Sequence, residues 1–205
     1  MTHPYSSDSE LLRNEIAALA ARMIAEDGAD YGSAKRKAAK QILGNAKVRS
    51  DILPDNAQVE DEVRIYNDLF FSESQPARLL HLRRTAASLM LDLQAFVPHL
   101  TGAVLNGTAN EQSDIHLQLF ADSAKDVEIF LLNKNMLFEV TETPHFKGRA
   151  HEPVETASFM WHDEGVHLHM YQTDDLRGAL RTGSGRIDRA DLRTVQQLIK
   201  ESEAE

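Results

Sequence analysis

Two segments of the chain carry side chains that could do chemistry at alternating positions. Asp114 and His116 are two residues apart in "SDIHLQLF", and His167 and His169 are two residues apart in "VHLHMY". Residues two apart on a β-strand project from the same face of the sheet. If the two strands are neighbours, the four side chains converge, and such a carboxylate and imidazole set suits Zn²⁺, Mn²⁺ or Ni²⁺. Because the chain has nine histidines, we favour the alternative, a polar sheet face that is exposed to solvent or packed beneath a helix.

A glycine bend and a small polar loop precede the Asp114 segment, in the order "GAVLNGTANEQSDIH". This order resembles the polymerase-beta-like nucleotidyltransferase superfamily, particularly its minimal bacterial members, in which glycine-serine, "GTA" and "SDID" follow one another. Ala103 stands in place of the serine, and His116 stands in place of the last acid. The match aligns without a gap and spans less than a tenth of the chain.

The resemblance implies a site that holds a nucleoside triphosphate on divalent ions, Mg²⁺ or Mn²⁺. Asp114 and the residue at position 116 would act with a third acid on a neighbouring strand, and such acids hold two ions that clamp the attacking and leaving oxygens. Glu139 is our choice for that acid and Glu155 is the alternative, although an outward-facing strand residue is the commoner role for either. Glu128 qualifies only if "DVEIF" is a strand. The phosphates would lie against five residues of the bend and loop: Gly102, Ala103, Gly107, Thr108 and Ser113.

Two substitutions weaken the expected chemistry. Ala103 removes a hydroxyl donor, a loss of about 1 kcal/mol for an ordinary hydrogen bond. His116 is the more serious defect, because magnesium takes oxygen ligands and a neutral imidazole neither bridges two ions nor cancels their charge. We therefore predict a nucleotidyltransferase-like protein with impaired or lost two-metal catalysis that binds a nucleotide, a metal or a partner.

Two other functions stay open at this point. The first is an active nucleotidyltransferase that moves a nucleoside monophosphate from a triphosphate to a small molecule, an RNA or a protein. The second is a helical interaction protein with no nucleotide role. No G-x-x-x-x-G-K-[ST] phosphate loop occurs in the chain, so the sequence does not predict a P-loop enzyme.

The charge of the chain limits its partners. A net charge of −10 argues against a general nucleic-acid coat or an anionic-membrane binder, because the mean field repels phosphates. One basic cluster, in "SAKRKAAK", is an RNA-contact candidate, and its members are Lys35, Arg36, Lys37 and Lys40. These positions go round a helix instead of along one stripe, and no aromatic side chain lies nearby to stack bases. A solvated helix is therefore the favoured interpretation.

Composition also bears on where the protein works. The chain has no cysteine, which excludes disulfides, thiolate metal sites and cysteine nucleophiles. No apolar run approaches the roughly 20 residues that cross a bilayer, and the N-terminal sequence lacks the basic and apolar regions of a secretion signal. We predict a cytoplasmic protein with no membrane partner; the sequence does not fix its oligomeric state.

The apolar pattern has a helical period in the first half of the chain and a period of two after about residue 100. Four helices are predicted up to Phe96, and Gly28, Gly44 and Pro98 mark helix ends. The apolar stripe of the first helix is expected to begin at Leu11 or Leu12, and that of the third to end at Leu69 and Phe70. Short strands are predicted in "TGAVLNG", "DIHLQLFAD", "MLFEVTET", "VETASFMWH" and "VHLHMYQ", with a helix in "SAKDVEIFLLNKN". Ser123 is expected to cap that helix, and "DEG", residues 163–165, is expected to form a hairpin turn between the last two strands. "TDDLRGAL" and "RADLRTVQQLIKESEAE" are helical pieces on either side of the loop "RTGSGR".

These elements predict an α+β fold, with a helical N-terminal region packed on a small mixed β-sheet of nucleotidyltransferase type. We divide the chain into a helical region, residues 1–72, and a nucleotidyltransferase-like domain, residues 73–205; a single compact unit is the alternative. Outside these elements, His145 and His151 are expected to be solvent-exposed. Arg83 and Arg84 are expected to form an ordinary surface pair, with a triphosphate or carboxylate contact as the alternative.

Overall fold

A computed structural model describes residues 4–44, 49–148, 150–177 and 188–204. The fold is α+β, as predicted: within the described residues, seven α-helices and a five-stranded mixed sheet occur, and most of the helices precede the strands. The chain forms two compact units. One comprises residues 1–75 with residues 108–112, and the other comprises residues 76–107 with residues 113–205. None of the described helices has the length and apolar character needed to cross a bilayer.

The first unit is built from three helices: α1 (Pro4–Asp27), α2 (Tyr31–Leu43) and α3 (Asn56–Phe70). Their core consists largely of small side chains, which let helix backbones approach closely, and its buried members are Ile16, Ala17, Ala20, Ala21, Ile24, Ala34, Ala38, Ala39, Val59 and Val63. Carboxylates cap two of the helices. Asp30 accepts a hydrogen bond from the backbone N–H of Ser33, and Asp55 forms a capping box with Gln58.

The predicted apolar stripes are right in the middle of these helices and wrong at their ends. Leu11, expected as a candidate for the buried face of α1, is 62% exposed. Leu69 and Phe70, at the end of α3, are 71% and 65% exposed. Helical spacing alone marks which side chains share a face, but the core of this unit ends one turn before the apolar pattern does.

A loop of the second half of the chain, residues 108–112, belongs to the helical unit. The side-chain amide of Asn110 donates hydrogen bonds to the carbonyls of Ile24 and Ala25, at 2.9 and 3.1 Å. These carbonyls lie in the last turn of α1, where a helix leaves its acceptors without intrahelical partners. Asn110 therefore caps α1 from a position more than 80 residues along the chain.

Replacing Asn110 with alanine should lower the free energy of unfolding by about 1 kcal/mol, the usual worth of such hydrogen bonds. Urea unfolding followed by circular dichroism measures the change. Asn133→Ala, at the exposed end of another helix, is the matched control. Equal stabilities of the two variants would show that the cap contributes nothing.

The second unit contains the sheet. Its helices are α4 (Gln75–Asp92, with Gln75 itself in the first unit), α5 (Ala103–Asn106), α6 (Ala124–Asn133) and α7 (Leu192–Ala204). Its strands are β1 (His99–Thr101), β2 (Ile115–Ala121), β3 (Glu139–Thr143), β4 (Val154–Trp161) and β5 (Glu164–Gln172). The strand order is β1-β2-β5-β4-β3. β2 and β5 are parallel neighbours at the centre, and all other pairs are antiparallel.

One predicted strand, "TGAVLNG", is wrong. The strand ends at Thr101, and Gly102, with φ of +73°, begins the one-turn helix α5. The carbonyl of Gly102 accepts hydrogen bonds from the N–H groups of Leu105 and Asn106, so the backbone leaves the sheet at the glycine. A positive φ of this kind is open to glycine without steric cost.

The other elements follow the sequence pattern closely. Helix α6 is confirmed, and Ser123 caps it as predicted. The predicted hairpin joins β4 and β5 through His162 and Asp163, whose φ angles of +49° and +65° are those of a tight hairpin turn. Helix α4 ends at Asp92, earlier than predicted, and a short 3₁₀ turn, Gln94–Phe96, follows it. The predicted loop "RTGSGR" lies outside the described residues.

The strand register gives the sheet two unlike faces. Leucine, isoleucine and valine side chains of β2 and β5 fill the core from one face: Ile115, Leu117, Leu119, Val166 and Leu168. The other face carries polar side chains from all five strands. It also carries a small buried cluster of Phe120, Val154 and Tyr171, so the alternation separates core side chains from polar ones only in part.

Candidate functional site

A row of polar side chains crosses the sheet on its second face. Register pairs join Thr101 to His116, His116 to His167, His167 to Ser158, and Ser158 to Glu139. Directly paired residues point to the same side of a sheet. Five strands therefore place one polar residue each in a single line.

Asp114, His167 and Ser158 form a continuous hydrogen-bonded chain. Oδ2 of Asp114 lies 3.0 Å from Nε2 of His167, and Nδ1 of the same ring lies 2.8 Å from Oγ of Ser158. A carboxylate only accepts, so the ring donates from Nε2 and accepts the Ser158 hydroxyl at Nδ1. These two hydrogen bonds therefore fix both the tautomer and the orientation of His167.

His116 and His169 form a second hydrogen-bonded pair behind the first. Nδ1 of His116 lies 3.1 Å from Nε2 of His169, and Nδ1 of His169 meets the hydroxyls of Thr156 and Thr143 at 3.1 and 3.2 Å. The His116 ring is also stacked on that of His167, with ring centroids 4.7 Å apart. An N···N hydrogen bond holds one proton. The pair is therefore intact only while one of the two facing nitrogens carries no proton.

Burial keeps this pair neutral. The pKa of His116 is lowered to about 4, chiefly by desolvation and also by the nearby His167 ring, while Asp114 acts in the opposite direction. Desolvation also lowers the pKa of His169 to about 4, with smaller contributions from His116 and His167. The position that carries an acid in the resembled family thus holds a neutral, half-buried imidazole.

A cleft of about 470 Å³ opens beside the Asp114–His167–Ser158 chain. These three residues line it together with Glu139, and its apolar walls are formed by Leu137, Phe138, Phe159, Met160 and Val166. The Asp114 side chain is 46% exposed and that of His167 is 30% exposed. Both are accessible to a ligand, and no lysine or arginine is among the described residues that line the cleft.

Gly165 makes room for the carboxylate. A Cβ atom at this position would lie 2.2 Å from Oδ1 of Asp114 and 2.6 Å from its Cγ, which is far inside van der Waals contact. Gly165 lies on β5 and pairs with Met160 on β4. It immediately precedes Val166, the first residue of β5 that pairs with β2. The Asp114 carboxylate therefore reaches His167 only because Gly165 has no side chain.

The structure places the five residues expected to contact phosphate along the path from β1 to β2. Gly102 and Ala103 begin α5, and Gly107, with φ of +85°, ends it. Thr108 is buried in the helical unit, where its hydroxyl lies 3.3 Å from that of Tyr31. Ser113 immediately precedes Asp114 and is half-buried. Among the described residues that line the cleft, none of these five occurs.

Of the three candidates for the third acid, Glu139 is the one that lines the cleft. Glu155 lies on the opposite face of β4 from Ser158, since the two are three residues apart. Glu128 lies on helix α6 and pairs with Lys125 at 3.0 Å. Glu139 is two strands from His167, a backbone separation of roughly 10 Å at the usual strand spacing, which is the span of a small ligand and not of one ion.

The four residues considered as metal ligands, Asp114, His116, His167 and His169, are brought together, but through hydrogen bonds to one another. Within the part of the chain that the structure describes, no three histidine, aspartate or glutamate side chains are arranged to hold one ion. Asp114 still presents its carboxylate to the cleft, and an oxygen ligand of this kind suits an ion that arrives with its own phosphate ligands.

Two expectations outside the cleft are wrong. His145 is buried, not exposed; its Nε2 lies 3.3 Å from Asp175, and its Nδ1 accepts the backbone N–H of Lys147. Of the expected surface pair, Arg83 is buried and donates to the carbonyls of Val104 and Leu105, so it holds α5 in place, whereas Arg84 is exposed as expected and pairs with Glu203. The side chains of His145 and Arg83 form hydrogen bonds with backbone or carboxylate groups, and the sequence pattern does not reveal these contacts.

The basic cluster on α2 is mostly solvated. Lys35 is half-buried and donates to Asn56 at 2.8 Å, and Arg36 donates to Ser33. Arg36, Lys37 and Lys40 are exposed. Three of the four members therefore face solvent, and the RNA contact stays a prediction with the solvated helix as its alternative.

Sequence reasoning missed Ser158 and Gly165. Ser158 stands in "TASFM" with no neighbouring motif, and its role follows only from the register of β4 with β5. Gly165 is predicted as part of the hairpin turn, but the structure places it within β5. A glycine at the first alternating position of a strand, where "GVHLH" continues with histidines on the same face, is the signal that could have indicated a close approach.

Comparison with known proteins adds little. The sequence matches no protein-family model, and no curated protein matches it. A solved structure, that of the GLD-2/RNP-8 complex, is similar over 65% of this chain and 48% of its own chain, with 16% sequence identity and a TM-score of 0.30. The similar region thus spans about half the length of that other chain. Similarity at this score does not establish a shared fold.

Proposed function

We propose that this chain is a nucleotidyltransferase-like protein that binds a nucleoside triphosphate with its divalent ion in the cleft beside Asp114, without two-metal transfer chemistry. The observation that carries this proposal is the state of position 116. There the neutral imidazole of His116 is hydrogen-bonded to His169, where the resembled family carries a second acid.

The geometry around Asp114 supports the binding half of the proposal. β1 and β2 are antiparallel, so the Gly102 bend that follows β1 and the Asp114 carboxylate that precedes β2 lie at the same end of the sheet. Asp114 opens onto a cleft large enough for part of a nucleotide. In magnesium nucleotide sites, one or two carboxylates hold the ion and substrate phosphates complete its coordination.

The charge of the cleft makes the divalent ion necessary. Asp114 and Glu139 are the acidic residues of its lining, and the described lining residues include no lysine or arginine. A free triphosphate would be repelled, and an ion bound between Asp114 and the phosphates would cancel that repulsion. When present, the ion would supply charge neutralisation; Asp114 would hold it, and His167 would orient Asp114.

The same geometry opposes catalysis by two ions. Two-metal sites place their ions about 4 Å apart between shared acids. His116 offers no negative charge, and Glu139 is two strands away from the strand that carries His167. The residues present suit one ion carried by the ligand and do not suit a second.

Calorimetry tests the proposal. Titration with each of the four ribonucleoside triphosphates and Mg²⁺ or Mn²⁺ should give binding that chelation with EDTA abolishes. Asp114→Ala should weaken it by about 10- to 100-fold, the loss expected for a charged contact of 1.5–3 kcal/mol. Glu142→Ala, which removes an exposed acid on the opposite face of β3 from Glu139, is the matched control and should leave binding unchanged.

A pyrophosphate-release assay on the same samples separates the alternatives. Binding without pyrophosphate supports the proposal. Release of pyrophosphate that requires Asp114 would instead establish an active nucleotidyltransferase. If wild type binds no triphosphate with either ion, the nucleotide role is wrong and the interaction protein becomes the better account.

A further inference from the structure

The Asp114–His167–Ser158 chain has a second chemical capability that does not depend on nucleotide binding. We propose that Ser158 is a nucleophile, activated by His167 and oriented through Asp114, that takes acyl groups from small carboxylic esters bound in the adjoining cleft. The three residues line one cleft of about 470 Å³ and are linked by hydrogen bonds of 2.8 and 3.0 Å.

The hydrogen bonds run in the direction that nucleophilic catalysis needs. A serine hydroxyl becomes nucleophilic when a neighbouring base accepts its proton, and that base is more effective when a third group orients it. Here Nδ1 of His167 receives the Ser158 hydroxyl, and Nε2–H of the same ring donates to Asp114. The usual roles of nucleophile, base and orienting acid are therefore all assigned, on a rigid sheet.

The reaction would proceed in two balanced steps. Oγ of Ser158 forms a bond to the ester carbonyl carbon while its proton passes to Nδ1 of His167; the carbon–alkoxy bond breaks, and the alkoxide leaves with that proton as an alcohol. Water then attacks the acyl carbon and gives a proton to the same nitrogen. The bond from carbon to Oγ breaks, Ser158 recovers its proton, and the net reaction is ester plus water to acid plus alcohol.

The lining of the cleft indicates the class of ester. Leu137 and Met160, which are 93% and 67% exposed, stand beside Ser158 in the cleft wall, so a short apolar acyl group would cover surface that water otherwise contacts. The described lining residues include no lysine, arginine or side-chain amide to stabilise the oxyanion, and lack of such a donor costs about 100- to 1,000-fold in rate. We therefore expect slow turnover and a readily detected acyl intermediate.

The first experiment follows covalent labelling of the full chain, in EDTA so that no divalent ion or bound nucleotide contributes. Incubation with p-nitrophenyl butyrate or a fluorophosphonate should add one group per chain, and peptide mass spectrometry should place it on Ser158. Ser158→Ala and His167→Ala should lose the adduct, and free imidazole should restore it to His167→Ala. Ser72→Ala, at an exposed serine outside the site, should label like wild type.

The second experiment uses the absence of cysteine from the chain. Ser158→Cys introduces a single thiol, and its alkylation by iodoacetamide at pH 7 should be at least about 10-fold faster than in Ser158→Cys/His167→Gln, because a neighbouring imidazole favours the thiolate. Ser158→Cys/Asp114→Asn should lie between the two. A role for His167 in packing alone would not change this rate, provided that circular dichroism shows each variant folded.

Two results would overturn the inference. One is a label spread over several exposed serines with no preference for Ser158. The other is equal alkylation of the introduced thiol with and without His167. Neither result bears on triphosphate binding, which calorimetry measures. Failure of the acyl-transfer proposal can therefore be distinguished from failure of the proposed function.

Discussion

Lowering the pH from 7.5 to 5 should reduce the free energy of unfolding by about 4 kcal/mol through His116 and His169 alone. Both pKa values are lowered by burial to about 4 in the folded protein, whereas an unfolded histidine titrates near pH 6.5. Between these values the unfolded chain binds the extra protons. Stability from the pair is therefore fully present above pH 6.5 and falls as the pH drops towards 4.

The physical cause of this loss is the burial of both rings, which penalises their charged forms, and repulsion between the neighbouring histidines adds to it. Protonation of both facing nitrogens would place two N–H groups and two positive charges 3.1 Å apart. Each ring contributes about 1.4 kcal/mol per pH unit within the window, since one extra proton binds to the unfolded state. The total is a large fraction of the stability of an ordinary domain, about 5–15 kcal/mol.

Urea unfolding at half-unit pH steps measures the effect. Carboxylates also titrate at the lower end of this range, so the informative quantity is the difference between wild type and His116→Gln/His169→Gln. That double variant should lose most of the slope between pH 6.5 and 5. His162→Asn, in the exposed turn between β4 and β5, keeps the pair and should retain the wild-type slope; a double variant with the same slope as wild type would rule out the neutral pair.

This pair also shows what the sequence could and could not predict. The alternation in "DIHLQLF" and "VHLHMY" predicts two strands with their histidines on one face, and both strands are confirmed. Adjacency of the strands does not follow from alternation, because β2 and β5 are joined by two intervening strands and a helix. Only the parallel register, with His116 opposite His167, shows that the rings stack.

The errors have a common physical origin in the ambiguity of short segments. Val104 and Leu105 in "TGAVLNG" satisfy the apolar pattern of a strand and equally the buried side of a one-turn helix. The decision is made by Gly102, whose positive φ turns the chain out of the sheet. In the same way, His145 is buried where Asp175, 30 residues along the chain, meets its ring, and no local pattern contains that information.

The residues that complete the site were the least predictable, because each acts through a neighbour on another strand. Ser158 is one of several serines in the sequence until β4 is paired with β5. Gly165 is one of ten glycines, and its importance lies in the carboxylate that occupies the space of its missing side chain. Motif reasoning located Asp114, and the sheet register supplied the partners that determine what Asp114 can do.

Gly165→Ala should displace Asp114 from the cleft and weaken divalent-dependent triphosphate binding about 10- to 100-fold, as much as Asp114→Ala does. The new methyl group would lie 2.2 Å from Oδ1 of Asp114, so the carboxylate must rotate away and lose its hydrogen bond to His167. Gly165 is not among the residues with positive φ. Alanine therefore fits the backbone, and the effect reports the displaced carboxylate alone.

A double-variant cycle separates this mechanism from general disruption of the strand. Gly165→Ala alone should lower the free energy of unfolding by about 1–3 kcal/mol, the usual cost of overpacking. When Asp114→Ala is added, the clash disappears, so the double variant should be more stable than Gly165→Ala by most of that amount. Additive losses of stability, or undiminished triphosphate binding by Gly165→Ala, would show that the carboxylate does not depend on the glycine. Recovery of stability without recovery of binding is expected, because the two substitutions act on one contact: the glycine supplies the space, and the carboxylate in that space holds the ligand.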